Sequence, residues 1–193
     1  MVQRRGATVY PCRLFRTGPR MSSDAPVLIV PYDPEWPSRF EAERRVLLDA
    51  IASYLKAGSI EHIGSTAIPG LEAKPVIDIM AGVESLDASC AAIAVLERHQ
   101  YCYAPYRTDV MHWFCKPSPA LRTHHLHLVP LGSGLWIERL AFRDYLRAHA
   151  DVALEYAALK RRLAEAHRHD REAYTAGKTA FVRRVIEDAM GSR

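Results

Sequence analysis

Apolar positions along the chain fall into stretches of period two and stretches of period three to four, and the switches between them outline the elements. Val27–Val30 predicts a short strand, stopped by Pro31 and the Asp33-Pro34 turn signal. Phe40, Leu47, Leu48, Ile51, Tyr54 and Leu55 then recur at helical spacing, with Pro37 near the start and Gly58 closing the run. Ser59–Ile63 alternates as a half-buried strand, and Gly64-Ser65-Thr66-Ala67-Ile68-Pro69-Gly70 interrupts it with turn chemistry. Val76–Val83 is the clearest strand, rich in β-branched residues and set between Pro75 and Glu84-Ser85. Asp87 predicts the cap of a helix reaching about His99, with Cys90, Ile93, Ala94 and Leu96 inward. Tyr101–Ala104, Val110–Lys116 and Arg122–Val129 follow as strands expected to pair antiparallel, the last two separated by Pro117-Ser118-Pro119. From Leu135 the period is helical: Trp136, Leu140 and Tyr145 in one piece, Leu154, Leu159 and Leu163 behind Asp151 in the next, and Tyr174, Phe181, Val185 and Ile186 in the last. Four or five strands with helices before, between and after them define an α+β protein.

One position breaks the pattern. Side chains alternate across a strand, so Val76, Asp78, Met80 and Gly82 share one face, and Asp78 is a carboxylate embedded in an otherwise apolar strand. A charge there is costly unless it is paired, hydrogen-bonded or bound to a cation. Fourteen residues earlier, Gly64, Ser65 and Thr66 form a turn whose backbone amides suit a phosphate, and Lys74 lies between the two. An aspartate beside such a turn fits a divalent cation bridging the same phosphates, which makes Mg or Mn the expected cofactor.

Composition narrows the partners. The 193 residues fit one domain, with 49% apolar and 25% charged positions as in an average globular chain. The net charge of +4 belongs to the start: residues 1–20 carry five arginines and no acid, leaving 21 basic against 22 acidic residues in the remainder. A body so balanced has no bulk affinity for nucleic acid. Residues 1–22 read as a basic tail, with Met21-Ser22-Ser23-Asp24 resembling an internal start, and residues 23–193 as the domain. No run approaches the roughly 18 apolar residues of a membrane helix, and Pro11 and Arg13 break the only stretch resembling a secretory core. Cys12, Cys90, Cys102 and Cys115 show no paired spacing and read as four thiols of a cytoplasmic protein.

The segments Glu61-His62-Ile63-Gly64-Ser65-Thr66-Ala67-Ile68-Pro69-Gly70-Leu71 and Ala73-Lys74-Pro75-Val76-Ile77-Asp78-Ile79 resemble the GrpB family, a branch of the nucleotidyltransferase superfamily. So do His125-Leu126-His127-Leu128, Phe142-Arg143-Asp144-Tyr145-Leu146-Arg147, Glu155-Tyr156-Ala157-Ala158-Leu159-Lys160, and Tyr174 through Lys178 to Phe181. The resemblance implies a nucleotidyltransferase-like mixed sheet flanked by helices, with a C-terminal helical segment. It also implies a nucleoside triphosphate as ligand and a small molecule as nucleotidyl acceptor. Nucleotidyltransferases hold two cations on three acids. Here the first maps to Asp78, the second to Met80, a soft thioether unsuited to magnesium, and the third strand offers His125 or His127.

Within that frame Gly64, Ser65, Thr66 and Lys74 are expected at the phosphates, Asp78 and His127 at the chemistry, and Asp78, His125 and His127 around a metal. Arg143, Arg147, Lys160, Arg161 and Lys178 are expected as a basic wall over the turn, with Tyr174 on the helical face of Lys178 and able to stack on a base. Two other functions fit the same residues: a non-catalytic partner of an enzyme of coenzyme A synthesis, as a related domain fused to dephospho-coenzyme A kinase suggests, and a metal hydrolase built on the histidines. Trp36, Trp113 and Trp136 are assigned to packing.

Overall fold

A computed structural model describes residues 26–191, and the expected basic tail lies outside the described residues. Five strands form one mixed sheet: β1 (Leu55–Ile63), β2 (Ile77–Val83), β3 (Cys102–Ala104), β4 (His112–Pro117) and β5 (Arg122–Pro130), in the spatial order β1-β2-β5-β4-β3. β3, β4 and β5 pair antiparallel, as their short connections dictate, while β5 runs parallel to β2 and antiparallel β1 closes the edge.

The two faces of the sheet do different work. Ile77, Ile79, Ala81 and Val83 of β2 join Leu126, Leu128 and Phe114 beneath α1 (Trp36–Ile51), α2 (Leu86–Ser89) and α3 (Ala92–Glu97), with Trp36, Phe40, Leu47 and Ile51 filling the layer. Within this core Glu43 is a buried acceptor, taking hydrogen bonds from Lys116 Nζ at 2.7 Å and Tyr101 Oη at 2.9 Å. On the opposite face Ile63, Met80 and Val129 pack on Leu135 and Trp136 of α4 (Gly134–Ala148). A second cluster fastens α4 to α5 (Ala150–Ala166) and α7 (Thr179–Gly191) through Phe142, Leu146, Tyr156 and Val185, with α6 (Arg171–Ala176) between the last two. Among the described residues no helix is long and apolar enough to cross a membrane.

Several boundaries differ from the sequence pattern for local reasons. Val27–Val30 makes a single bridge, Val30 to Ala73, because Pro31 and Pro75 prevent a ladder from extending. The first helix ends at Ile51, and β1 already begins at Leu55; the left-handed residues Ala57 and Gly58 form the irregularity in its register. Ser85, not Asp87, caps the next helix by accepting from Ala88 N at 3.1 Å, and that helix breaks in two between Ser89 and Ala92. Asp151 lies in the first turn of α5, and its cap position is His149. Cys102 and Cys115 lie outside any disulfide, whereas Cys90 is disulfide-bonded, which corrects the reading of four thiols.

Candidate functional site

The turn between β1 and β2 is shaped by one glycine. Gly64 adopts φ 70° and ψ −171°, a region open essentially to glycine alone, and starts a 3-10 turn over Ser65–Ala67. A Cβ at Gly64 would collide with Asp78 Oδ2, so the turn lies directly on the carboxylate. Three contacts hold it there. Thr66 donates its hydroxyl proton to Val76 O at 3.3 Å and lies 3.0 Å from His62 Nε2, which must therefore be the donor of that pair. Arg147 gives Nε and Nη2 to Ala67 O at 3.0 and 2.7 Å. Arg143 gives Nη1 to Glu61 Oε2 at 2.7 Å and His62 O at 3.0 Å, with Nε on Asp144.

The neighbouring strand supplies the partner of Asp78. Parallel register sets Asp78 opposite His125 and Met80 opposite His127, so all four side chains face the turn side of the sheet. His125 Nδ1 donates to Asp78 Oδ1 at 2.8 Å. Burial raises the Asp78 carboxyl, but this hydrogen bond and the positive potential of His125, His127 and Arg139 outweigh it and hold the group at about 2. Its side chain keeps 30% of its surface open, so the carboxylate is ionised and in part reachable from solvent. His127 contacts Met111 Sδ through Nδ1 at 3.4 Å, and burial pulls its imidazole down to about 3, against the charge of Asp78.

Helices α5 to α7 bring the remaining wall. Tyr156 is buried, and its phenol is pushed up to about 12 by burial despite hydrogen bonding with Ser65. Lys160 Nζ lies 4.8 Å from the Tyr156 ring centre and Lys178 Nζ 4.2 Å from that of Tyr174. Burial pulls Lys178 down to about 8, with Arg139 in the same direction and Asp78 opposing. The charge of Asp78 is thus felt by His62, His127, Tyr156, Tyr174 and Lys178, which makes it the electrostatic centre of the site.

The structure therefore sets Gly64 and His125 against Asp78, brings Ser65 to Tyr156, and leaves His127, Tyr174 and Lys178 within the field of the Asp78 charge. It spends others on scaffolding: Thr66 and Arg143 as described, Lys160 on Glu72 O and Arg161 on the Glu72 carboxylate. Lys74 is half-buried on the segment entering β2. Sequence reasoning missed Arg139 and Tyr156. The available signal was a repeated Tyr-x3-Lys spacing: Tyr156 and Lys160 share a face of α5, and Tyr174 on α6 meets Lys178 in the turn that follows it.

Metal chemistry does not fit these residues. A divalent cation such as Mg takes about six oxygen ligands, yet among the described residues no group of three or more His, Cys, Asp or Glu is arranged to hold a metal. The position that would carry a second acid is Met80, fully buried, and β5 places imidazoles beside Asp78. Glu61 and Glu72 are engaged by Arg143 and Arg161. Two surface grooves, about 310 and 330 Å³, lie along α5 and away from this chemistry.

A mixed sheet flanked by helices, with a glycine-serine turn folded onto an aspartate-bearing strand, defines an α+β protein of nucleotidyltransferase-like architecture. Residues 26–188 match the family described as GrpB protein, and the chain belongs to that family. It is 39% identical over 176 residues to a UPF0157 protein of Pseudomonas aeruginosa, covering 89% of this chain and 71% of that one. The crystal structure of conserved protein GrpB from Enterococcus faecalis superposes with a TM-score of 0.78 at 32% identity, covering 86% of this chain and 98% of the other. A dephospho-CoA kinase of Mycolicibacterium paratuberculosis is 32% identical over 189 residues, covering 85% of this chain and 46% of the kinase.

Proposed function

We propose that the surface around Asp78 binds the phosphate groups of a nucleoside triphosphate, with the Gly64-Ser65 turn above them. The observation that carries this is the grouping around Asp78: one carboxylate under a glycine that leaves no room for a side chain, with Lys178 held on the Tyr174 ring and the charges of Lys178 and Arg139 acting on the same group. Such a site attracts a compact anion.

The same geometry favours binding over turnover. A general base works best with a pKa near the operating pH, and His127 at about 3 is a weak acceptor for an incoming hydroxyl proton. Nucleotidyl transfer to a small acceptor would need a base other than His127. A thermal-shift screen of nucleoside triphosphates tests the reading, with stabilisation by at least one nucleotide as the expected result. A folded sample that responds to none of them refutes it.

A second reading has one specific observation behind it. A segment similar to almost the whole of this chain occurs within a longer dephospho-CoA kinase, so a chain of this family standing alone is a natural partner for such an enzyme. Co-purification with a separately expressed dephospho-CoA kinase is the expected outcome, and failure to associate at micromolar concentrations rejects it.

A further inference from the structure

We infer that the site holds its phosphate chain with side-chain cations in the place where a divalent metal would stand: Arg139 and Lys178 neutralise the ligand, and Asp78 orients His125 instead of a metal ion. This rests on the phosphate-binding reading above.

The donors are the first ground. Asp78 Oδ1 already accepts from His125 Nδ1, and Oδ2 lies where a Cβ at Gly64 would stand, so both oxygens have close neighbours of their own. No second carboxylate joins it, since Met80 is sealed in the core beneath α4. A lone, already hydrogen-bonded carboxylate is a poor substitute for the ligand set that magnesium or manganese requires.

Charge is the second ground. A metal site needs an excess of negative groups, because the cation must be repaid for the water it sheds. Here the excess is positive. The charge of Arg139 acts on Asp78, His127, Tyr156 and Lys178. Lys178 rests on the face of Tyr174, which keeps the ammonium in place without a carboxylate contact that would spend its charge. Behind it Lys160, fully buried on Glu72 O, adds to the positive potential.

Calorimetric titration of the intact chain with inorganic tripolyphosphate, once in excess EDTA and once in excess magnesium, decides the matter. Binding is expected in EDTA, and weaker in magnesium, which neutralises the ligand before it reaches the cations. Lys178→Met and Arg139→Met are each expected to weaken binding at least tenfold, and Lys178→Arg and Arg139→Lys, which keep the charge if the methionine variants fail to fold, to retain most of it. Arg183→Met, on an exposed face of α7, reports any general effect of lost charge and is expected to bind normally. Binding that appears only with magnesium or manganese, or methionine variants that bind like the parent, overturns the inference while leaving phosphate binding intact. Absence of binding under both conditions refutes the underlying reading as well.

Discussion

Gly64 lies on Asp78 so closely that any side chain at position 64 would collide with the carboxylate. The pair joins the two halves of the site, turn and strand, through a contact that no other residue type permits at that backbone conformation.

Gly64→Ala combines a Gly-only backbone conformation with a collision at Asp78 Oδ2. The backbone alone costs about 1–3 kcal/mol, so urea unfolding is expected to show at least that loss. Nucleotide-induced stabilisation should vanish with it. Alanine tolerated at full stability would mean that turn and strand do not meet as described.

Arg147 fixes the turn from outside by a forked pair of bonds to Ala67 O. Lysine carries the charge but cannot reproduce the fork. Arg147→Lys is expected to cost about 1–2 kcal/mol in chemical denaturation, the usual size for charged hydrogen bonds, and to speed amide exchange at Ser65–Ala67. An unchanged exchange pattern would count against a clamping role.

Lys178 gives two opposite pH dependences from one group. Its folded-state value of about 8 lies below the ordinary 10.5, so between those values the unfolded chain binds more protons and stability rises with pH. Anion binding needs the ammonium and is expected to fall as pH rises through about 8, by up to roughly tenfold per unit above it. Thermal melts and titrations from pH 7 to 10 read both, and Lys178→Met should flatten both. Lys160, pulled to about 7, adds to the rise in stability and remains in that variant.

On the far face of the sheet, Glu43 accepts from both Lys116 and Tyr101 within the core. Glu43→Ala leaves a half-buried ammonium and a buried phenol without their acceptor, which is expected to cost about 3 kcal/mol in denaturant unfolding. Phosphate binding should persist in whatever folds, because the α1 core and the Asp78 side chain lie on opposite faces of the sheet. A loss of binding at full stability would contradict that separation.

The strand-borne part of the site was legible in the chain because burial and charge conflict visibly there. Asp78 stands out among Ile77, Ile79 and Met80, and Gly64-Ser65 announces a turn. The helix-borne part was hidden, since a cation on a helix usually faces solvent and nothing local marks the exceptions. Arg143 lies in a conspicuous block yet braces the scaffold, while it is the charge of Arg139, one turn earlier, that acts on Asp78. The parallel union of β2 with β5 was likewise invisible, because it joins segments 47 positions apart at Asp78 and His125.

That union also sets how the histidines behave when pairing goes wrong. Since alternate residues point to opposite faces, sliding β5 by one step against β2 would offer Leu126 or His124 to the carboxylate and send both imidazoles into grease. A misregistered molecule would thus lose its hydrophobic layer and its aspartate-histidine pair together, so any chain that folds well enough to persist arrives with that pair already assembled.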